Sequence, residues 1–156
     1  FRPCRYGECV TIADGLRVRF SDIGHLLGSA CIEFWLREDG TEKKIVFSGD
    51  VGNIDQPILN DPLPVAETDY LVVESTYGNR LHDKPKDVRA ELTEVLQRAF
   101  DRGGSVIIPA FAVGRTQELL YLLREIKQKK PVHGHDGFPV YLDSPLAEEA
   151  TSVFLQ

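Results

Sequence analysis

The rhythm of apolar positions divides this chain into two stretches of different character. Up to about residue 50, apolar side chains alternate with polar ones or gather in short runs, as in β-strands. From about residue 80 they recur every third or fourth position, as in helices. Strands are expected at 8–12 and Leu16–Asp22, separated by the turn-forming Ala13-Asp14-Gly15. In the second of these, Leu16, Val18 and Phe20 form an apolar face and Arg17, Arg19 and Ser21 a polar one. In Ala30–Glu38, Ile32, Phe34 and Leu36 are expected on one face, and Cys31, Glu33, Trp35 and Arg37 on the other. Glu38-Asp39-Gly40-Thr41 turns the chain into a strand at 43–47. The result is an antiparallel meander whose loops carry His25 and Asp50.

Residues 51–68 contain Pro57, Pro62 and Pro64, show no periodicity and read as a connection. A short buried strand is expected at 69–74, ending on Glu74. Beyond it, residues 87–102 read as a helix with Val88, Leu92, Val95, Leu96 and Ala99 on one stripe and Gly103-Gly104 as its stop. A buried strand is expected at 105–109. A second helix follows at 114–130, its C-terminal lysines suiting the helix dipole and Pro131 ending it. A strand at 139–142 precedes a third helix from Pro145, with Ser144 as N-cap. Strand–helix alternation predicts a parallel α/β layer in this half, with a boundary near residues 79–85.

Composition narrows the classes. The chain has 156 residues, 42% hydrophobic and 27% charged, in the range of globular domains. A net charge of −6 supplies no global field toward nucleic acid and leaves room only for a local basic groove. No run of about 18 apolar residues suggests a membrane span, and the first residues carry no secretory core. Cys4, Cys9 and Cys31 lack metal-finger spacing and read as reduced thiols, so a cytoplasmic location is expected. Both ends read as cut, the last one within a helix, as in a piece of a longer protein.

Candidate chemistry concentrates where apolar runs stop. Ile45-Val46-Phe47 ends at Ser48-Gly49-Asp50-Val51-Gly52, which places the Asp50 carboxylate in a glycine-flanked turn against the expected core, where a charge needs a partner. Glu74 ends the next strand, and His25 stands in the glycine-bracketed loop Gly24-His25-Leu26-Leu27-Gly28. Histidine and aspartate are ligands that hydrolytic zinc or manganese sites use. Taken singly, His25 also suits a structural loop residue and Asp50 a turn residue. His133-Gly134-His135-Asp136 is a polar loop with no strand before it, and metal binding is not expected there.

Ser21-Asp22-Ile23-Gly24-His25-Leu26-Leu27-Gly28-Ser29-Ala30, Phe47-Ser48-Gly49-Asp50-Val51-Gly52 and Glu74-Ser75-Thr76-Tyr77-Gly78 occur in this order. Pro109-Ala110-Phe111-Ala112-Val113-Gly114-Arg115-Thr116-Gln117-Glu118 and Tyr141-Leu142-Asp143-Ser144-Pro145-Leu146-Ala147 follow. Together they resemble the metallo-β-lactamase-fold nucleases of the β-CASP family, over essentially the whole chain. The resemblance implies an α/β (α+β sandwich) class. Residues 1–79 would be part of an αββα metallo-β-lactamase fold, and 80–156 the start of an inserted parallel α/β β-CASP domain. It implies His25 as a ligand of one zinc, Asp50 as the bridge between two zincs, and Glu74 as the acidic residue that orients a general-acid histidine from later in the chain. Asp22 is then expected to fix the His25 loop from outside the ligand set. His82 is expected at the substrate side, against the alternative of an exposed loop histidine. Arg115, at a helix N-terminus after a glycine, is expected on a phosphate, against the alternative of a surface salt bridge.

The resemblance also implies a His-x-His-x-Asp-His segment upstream of residue 1 and two further histidines beyond residue 156. Of the zinc ligands, this chain would hold only His25 and Asp50, so the piece alone is expected to be inactive. The full protein is then expected to be a ribonuclease that hydrolyses phosphodiesters with water activated by two metals. Its expected partner is RNA, single-stranded, with no membrane; a homodimer or an RNA-processing complex is the assembly considered. The alternative from another class is a non-catalytic β-CASP scaffold subunit, and a small-molecule hydrolase is disfavoured by the α/β run from residue 86 on.

Overall fold

The computed structural model describes residues 1–81 and 87–155. The chain is a mixed α+β protein that divides into two compact units, Phe1–Leu81 and His82–Gln156. His82 lies outside the described residues.

The first unit is one five-stranded sheet in sequential order: β1 (Cys9–Ala13), β2 (Leu16–Asp22), β3 (Ala30–Glu38), β4 (Thr41–Phe47) and β5 (Tyr70–Val72). β1 to β4 are antiparallel, and β5 returns parallel to β4 after the proline-containing connection. Registers Val18↔Phe34 and Phe34↔Ile45 line up the apolar positions of three strands on one face. Phe34 and Phe47 meet edge to face there, their centroids 5.8 Å apart.

The other face departs from the alternation read in β3. Cys31 and Glu33, expected on the face opposite Ile32, Phe34 and Leu36, are both buried to 1% exposure, and Cys31 packs with Ile23, Val46 and Val65. The reason is the aperiodic connection, which folds back over this face. The Thr68 hydroxyl donates to the Lys44 carbonyl at 2.9 Å, and the Lys44 amide donates to Asp69 at 2.8 Å. Glu33 tolerates burial because Arg19 donates to both its oxygens, at 2.8 and 2.9 Å, while Ser21 and Lys44 approach at 3.0 and 2.7 Å. The cations of Arg17, Arg19 and Lys44 all lie over the Trp35 ring. β5, at the edge of the sheet, is exposed throughout, not buried as its apolar run suggested.

In the second unit, α1 (Val88–Phe100), α2 (Arg115–Lys129) and α3 (Pro145–Phe154) fall where the 3.6-residue period placed them. Asp87 caps α1 by accepting the Ala90 amide at 3.0 Å, and Ser144 caps α3, with Pro145 in its first turn. Leu96, Leu123, Ile126 and Val132 form the core, flanked by Leu92, Phe100, Val106 and Phe138. Val88 and Val95 of the expected α1 stripe are exposed, so the inward face is narrower than the pattern implied. Gln117, 4% exposed, joins α2 to α3 by donating to the Thr151 hydroxyl at 3.0 Å.

Among the described residues of this unit no strand is formed, and 105–109 and 139–142 have no ladder partner. Ile107, expected in a buried strand, is 92% exposed, and Tyr141, expected in a strand, is 86% exposed. A strand exists only through its neighbours' hydrogen bonds, and a local apolar run does not supply those.

Candidate metal centre

Three turns of the first unit converge at the ends of β2, β4 and β5. The turn after β2 carries His25. Asp22, the last residue of β2, accepts the Gly24 amide on Oδ1 at 2.9 Å and the Asn60 side-chain amide on Oδ2 at 3.1 Å. The Ser29 hydroxyl accepts the amides of His25 and Leu26, both at 3.1 Å. The His25 loop is therefore pinned at both ends by side-chain acceptors, as Asx and Ser turns do.

The turn after β4 carries Asp50. The Ser48 amide donates to the Val72 carbonyl at 2.9 Å, extending the parallel pairing past the end of β4, and the Gly52 amide donates to the Ile23 carbonyl at 2.9 Å. This last bond joins the two turns and sets His25 Nε2 3.9 Å from Asp50 Oδ2.

Glu74 belongs to the third turn, and each of its carboxylate oxygens accepts a hydrogen bond. Oε1 accepts the Val51 amide at 2.6 Å and Oε2 accepts the Thr76 hydroxyl at 2.7 Å. The Val51 amide, then Thr76, hold its pKa below the usual carboxylate value, with nearby His25 acting in the same direction.

Asp50 is not buried: its side chain is 74% exposed and that of His25 42%. The solvation argument for a counter-charge therefore does not apply to it in this chain. What draws attention to the pair is proximity: an imidazole nitrogen and a carboxylate oxygen face each other in accessible space, near enough for both to reach one divalent cation. Among the described residues no group of three or more His, Cys, Asp or Glu could hold a metal ion.

Arg115 belongs to the second unit. It is the first residue of α2, 69% exposed on its side chain, and donates to Glu118 at 2.9 Å. His135 meets Asp101 at 3.0 Å, and the His133 backbone is held by the Gln97 side chain. Ser29, Ser48, Asn60 and Thr76 all contribute to the site's geometry without having been singled out individually. Ser29, Ser48 and Thr76 lie within the motifs that carried the resemblance. Asn60 stands 38 residues from Asp22, and no local spacing signals it.

Residues 116–156 match the family model of the Beta-Casp domain. A ribonuclease of Thermus thermophilus is 37% identical over 155 residues, which cover 98% of this chain and 33% of that protein. An RNase J-like protein of Methanocaldococcus jannaschii is 35% identical, covering 96% of this chain and 34% of its own length. The cleavage and polyadenylation specificity factor 73 of Drosophila melanogaster is 35% identical over 90% of this chain and 20% of its own length. The chain thus spans between 20% and 34% of the length of these relatives. These matches run through both units, and residues 116–156 carry the Beta-Casp domain.

Proposed function

We propose that the protein to which this chain belongs is a zinc-dependent ribonuclease that hydrolyses phosphodiester bonds of single-stranded RNA. The observation that carries the reading is the pair His25 and Asp50, 3.9 Å apart on two turns joined by the Gly52 amide. Relatives named as ribonucleases support the RNA substrate. His25 would hold one zinc and Asp50 would bridge it to a second; the metals, when bound, would acidify a water and offset phosphate charge. Asp22 would keep the His25 loop in place through the Gly24 amide. Glu74 would orient the proton-donating histidine, while Arg115 and His82 would contact the RNA backbone. In this reading residues 1–79 are metallo-β-lactamase fold and 80–156 open the β-CASP domain. A cytoplasmic location is part of the proposal and rests on three free cysteines. A homodimer or a place in an RNA-processing complex would suit either this enzyme or a non-catalytic scaffold.

The test is made on full-length protein. Metal analysis should find about two zinc ions, the number a paired site takes, and Asp50→Ala should lose both metal and RNA cleavage. Unchanged cleavage by that variant refutes the bridging role, and absence of both zinc and cleavage in the wild type leaves the scaffold.

A further inference from the structure

Two turns of the site exchange side-chain and backbone hydrogen bonds reciprocally. The backbone amide of Glu74 donates to the Ser48 hydroxyl at 3.1 Å, and the carboxylate of Glu74 accepts the backbone amide of Val51 at 2.6 Å. The Ser48 hydroxyl in turn donates to the Gly49 carbonyl at 2.6 Å. The residues that bracket Asp50 are thereby tied to Glu74 on both sides. Ser48 is 7% exposed, so its hydroxyl has few alternatives to these partners.

We infer that Ser48 and Glu74 are positioning residues that clamp the Asp50 turn, so that Asp50 faces His25 before any metal arrives. The role is distinct from orienting a proton donor, because Glu74 acts here on the Val51 backbone, next to Asp50. Its consequence for metal affinity rests on the proposed reading of Asp50 as a zinc ligand; its consequence for the turn does not. A carboxylate that accepts two donors at 2.6 and 2.7 Å has a fixed orientation, and the amide it holds belongs to the residue directly after the ligand. Removing an outer partner of a metal ligand commonly costs about 10- to 100-fold in affinity.

The experiment uses full-length protein with two readouts: hydrogen exchange at the Val51 amide, and zinc affinity by chelator competition. Glu74→Ala should speed Val51 exchange at least about tenfold and weaken zinc binding by about 10- to 100-fold. Glu74→Gln still offers an oxygen to the Val51 amide and should keep both within about threefold. Its RNA cleavage should nevertheless fall if Glu74 also orients the acid. Glu74→Asp keeps the charge but withdraws the oxygen from Val51, so it should behave like the alanine variant and serves if that variant does not fold. Ser48→Ala should raise Val51 exchange as well, by a smaller factor.

Unchanged Val51 exchange in Glu74→Ala and Glu74→Asp overturns the clamp. Faster exchange with undiminished zinc affinity overturns its role in preparing Asp50. A wild-type protein that binds no zinc overturns the proposed function alone; the clamp is then sustained if exchange rises in Glu74→Ala and Glu74→Asp and not in Glu74→Gln.

Discussion

Gly52 lies so close to Gly24 that a Cβ placed on Gly52 would sit 1.9 Å from the Gly24 carbonyl oxygen and 2.6 Å from the His25 amide. Both contacts are with backbone, which cannot swing aside as a long side chain does. The His25 and Asp50 turns touch at a point where only hydrogen fits, and the 2.9 Å bond from the Gly52 amide to the Ile23 carbonyl is made across it.

Gly52→Ala should therefore push the two turns apart. Overpacking of this kind costs about 1–3 kcal/mol, and more where backbone must move. Urea denaturation of the full-length protein measures the cost. Amide shifts of His25 and Val51 report the displacement, and unshifted resonances with wild-type stability would show that the turns are not in contact.

Acid should destabilise the first unit through Glu33. Burial opposes ionisation of this carboxyl, but hydrogen bonds from Arg19, Lys44 and Ser21 outweigh it and lower its pKa from 4.5 to about 2. A pKa depressed by folding means that the ionised group stabilises the fold above its unfolded value. That contribution is fully present above about pH 4.5 and is lost as pH falls from there through about 2. The shift corresponds to roughly 3 kcal/mol. Glu33→Gln removes the titration, so its urea midpoint should fall less than the wild type's between about pH 6 and pH 3. Parallel pH profiles would contradict this account.

Glu33→Ala should be costlier than its lost contacts suggest, because Arg19 and Lys44 would remain half-buried without their acceptor. Breaking a buried pair in this way costs about 3–5 kcal/mol. Partial exposure of Arg19, 36% on its side chain, places the expected loss near 3 kcal/mol, about the lower end of that range.

In the second unit, Gln97 links α1 to the 131–138 loop: it donates to Asp101 at 2.8 Å and to the His133 carbonyl at 3.1 Å, and accepts the His133 amide at 2.8 Å. Gln97, then His135, hold the Asp101 carboxyl below its usual value. Gln97→Ala should raise the Asp101 pKa, read by carboxylate NMR titration, and cost about 1–2 kcal/mol. The Asp101 contribution to stability is present above its unfolded value and fades as pH falls through its lowered one; in Gln97→Ala it should be smaller and its loss complete at a higher pH.

Asp87→Ala should cost about 1 kcal/mol, the usual value of an N-cap, and Ser144→Ala somewhat less because its bond to the Ala147 amide is longer, at 3.3 Å. Thermal melts followed by helix ellipticity would check both.

Local rules carried much of the fold. The alternation in Leu16–Asp22 and Ala30–Glu38 and the turn at Asp39-Gly40 suffice for the meander, because each strand pairs with its sequence neighbour. The three helices follow likewise from period and caps. The His25 and Asp50 turns were legible too, since glycines and chemistry-bearing residues interrupt apolar runs there. The parallel return of β5, the exposure of its three residues and the unpaired state of 105–109 and 139–142 were not legible. Each depends on which distant segment supplies a neighbour.

By itself, the sequence determined the order of β1 to β5 and of α1 to α3, the caps and turns that bound them, and which residues could carry chemistry. Only the tertiary structure decided which face of β3 is buried, that Asp50 stands in solvent, and that Glu74 reaches the amide beside it. The reason is physical. Propensity and periodicity act over a few residues, whereas the burial of Glu33 and the hold on Asp50 come from segments about 20 or more positions away, brought together by a connection that has no periodicity to read.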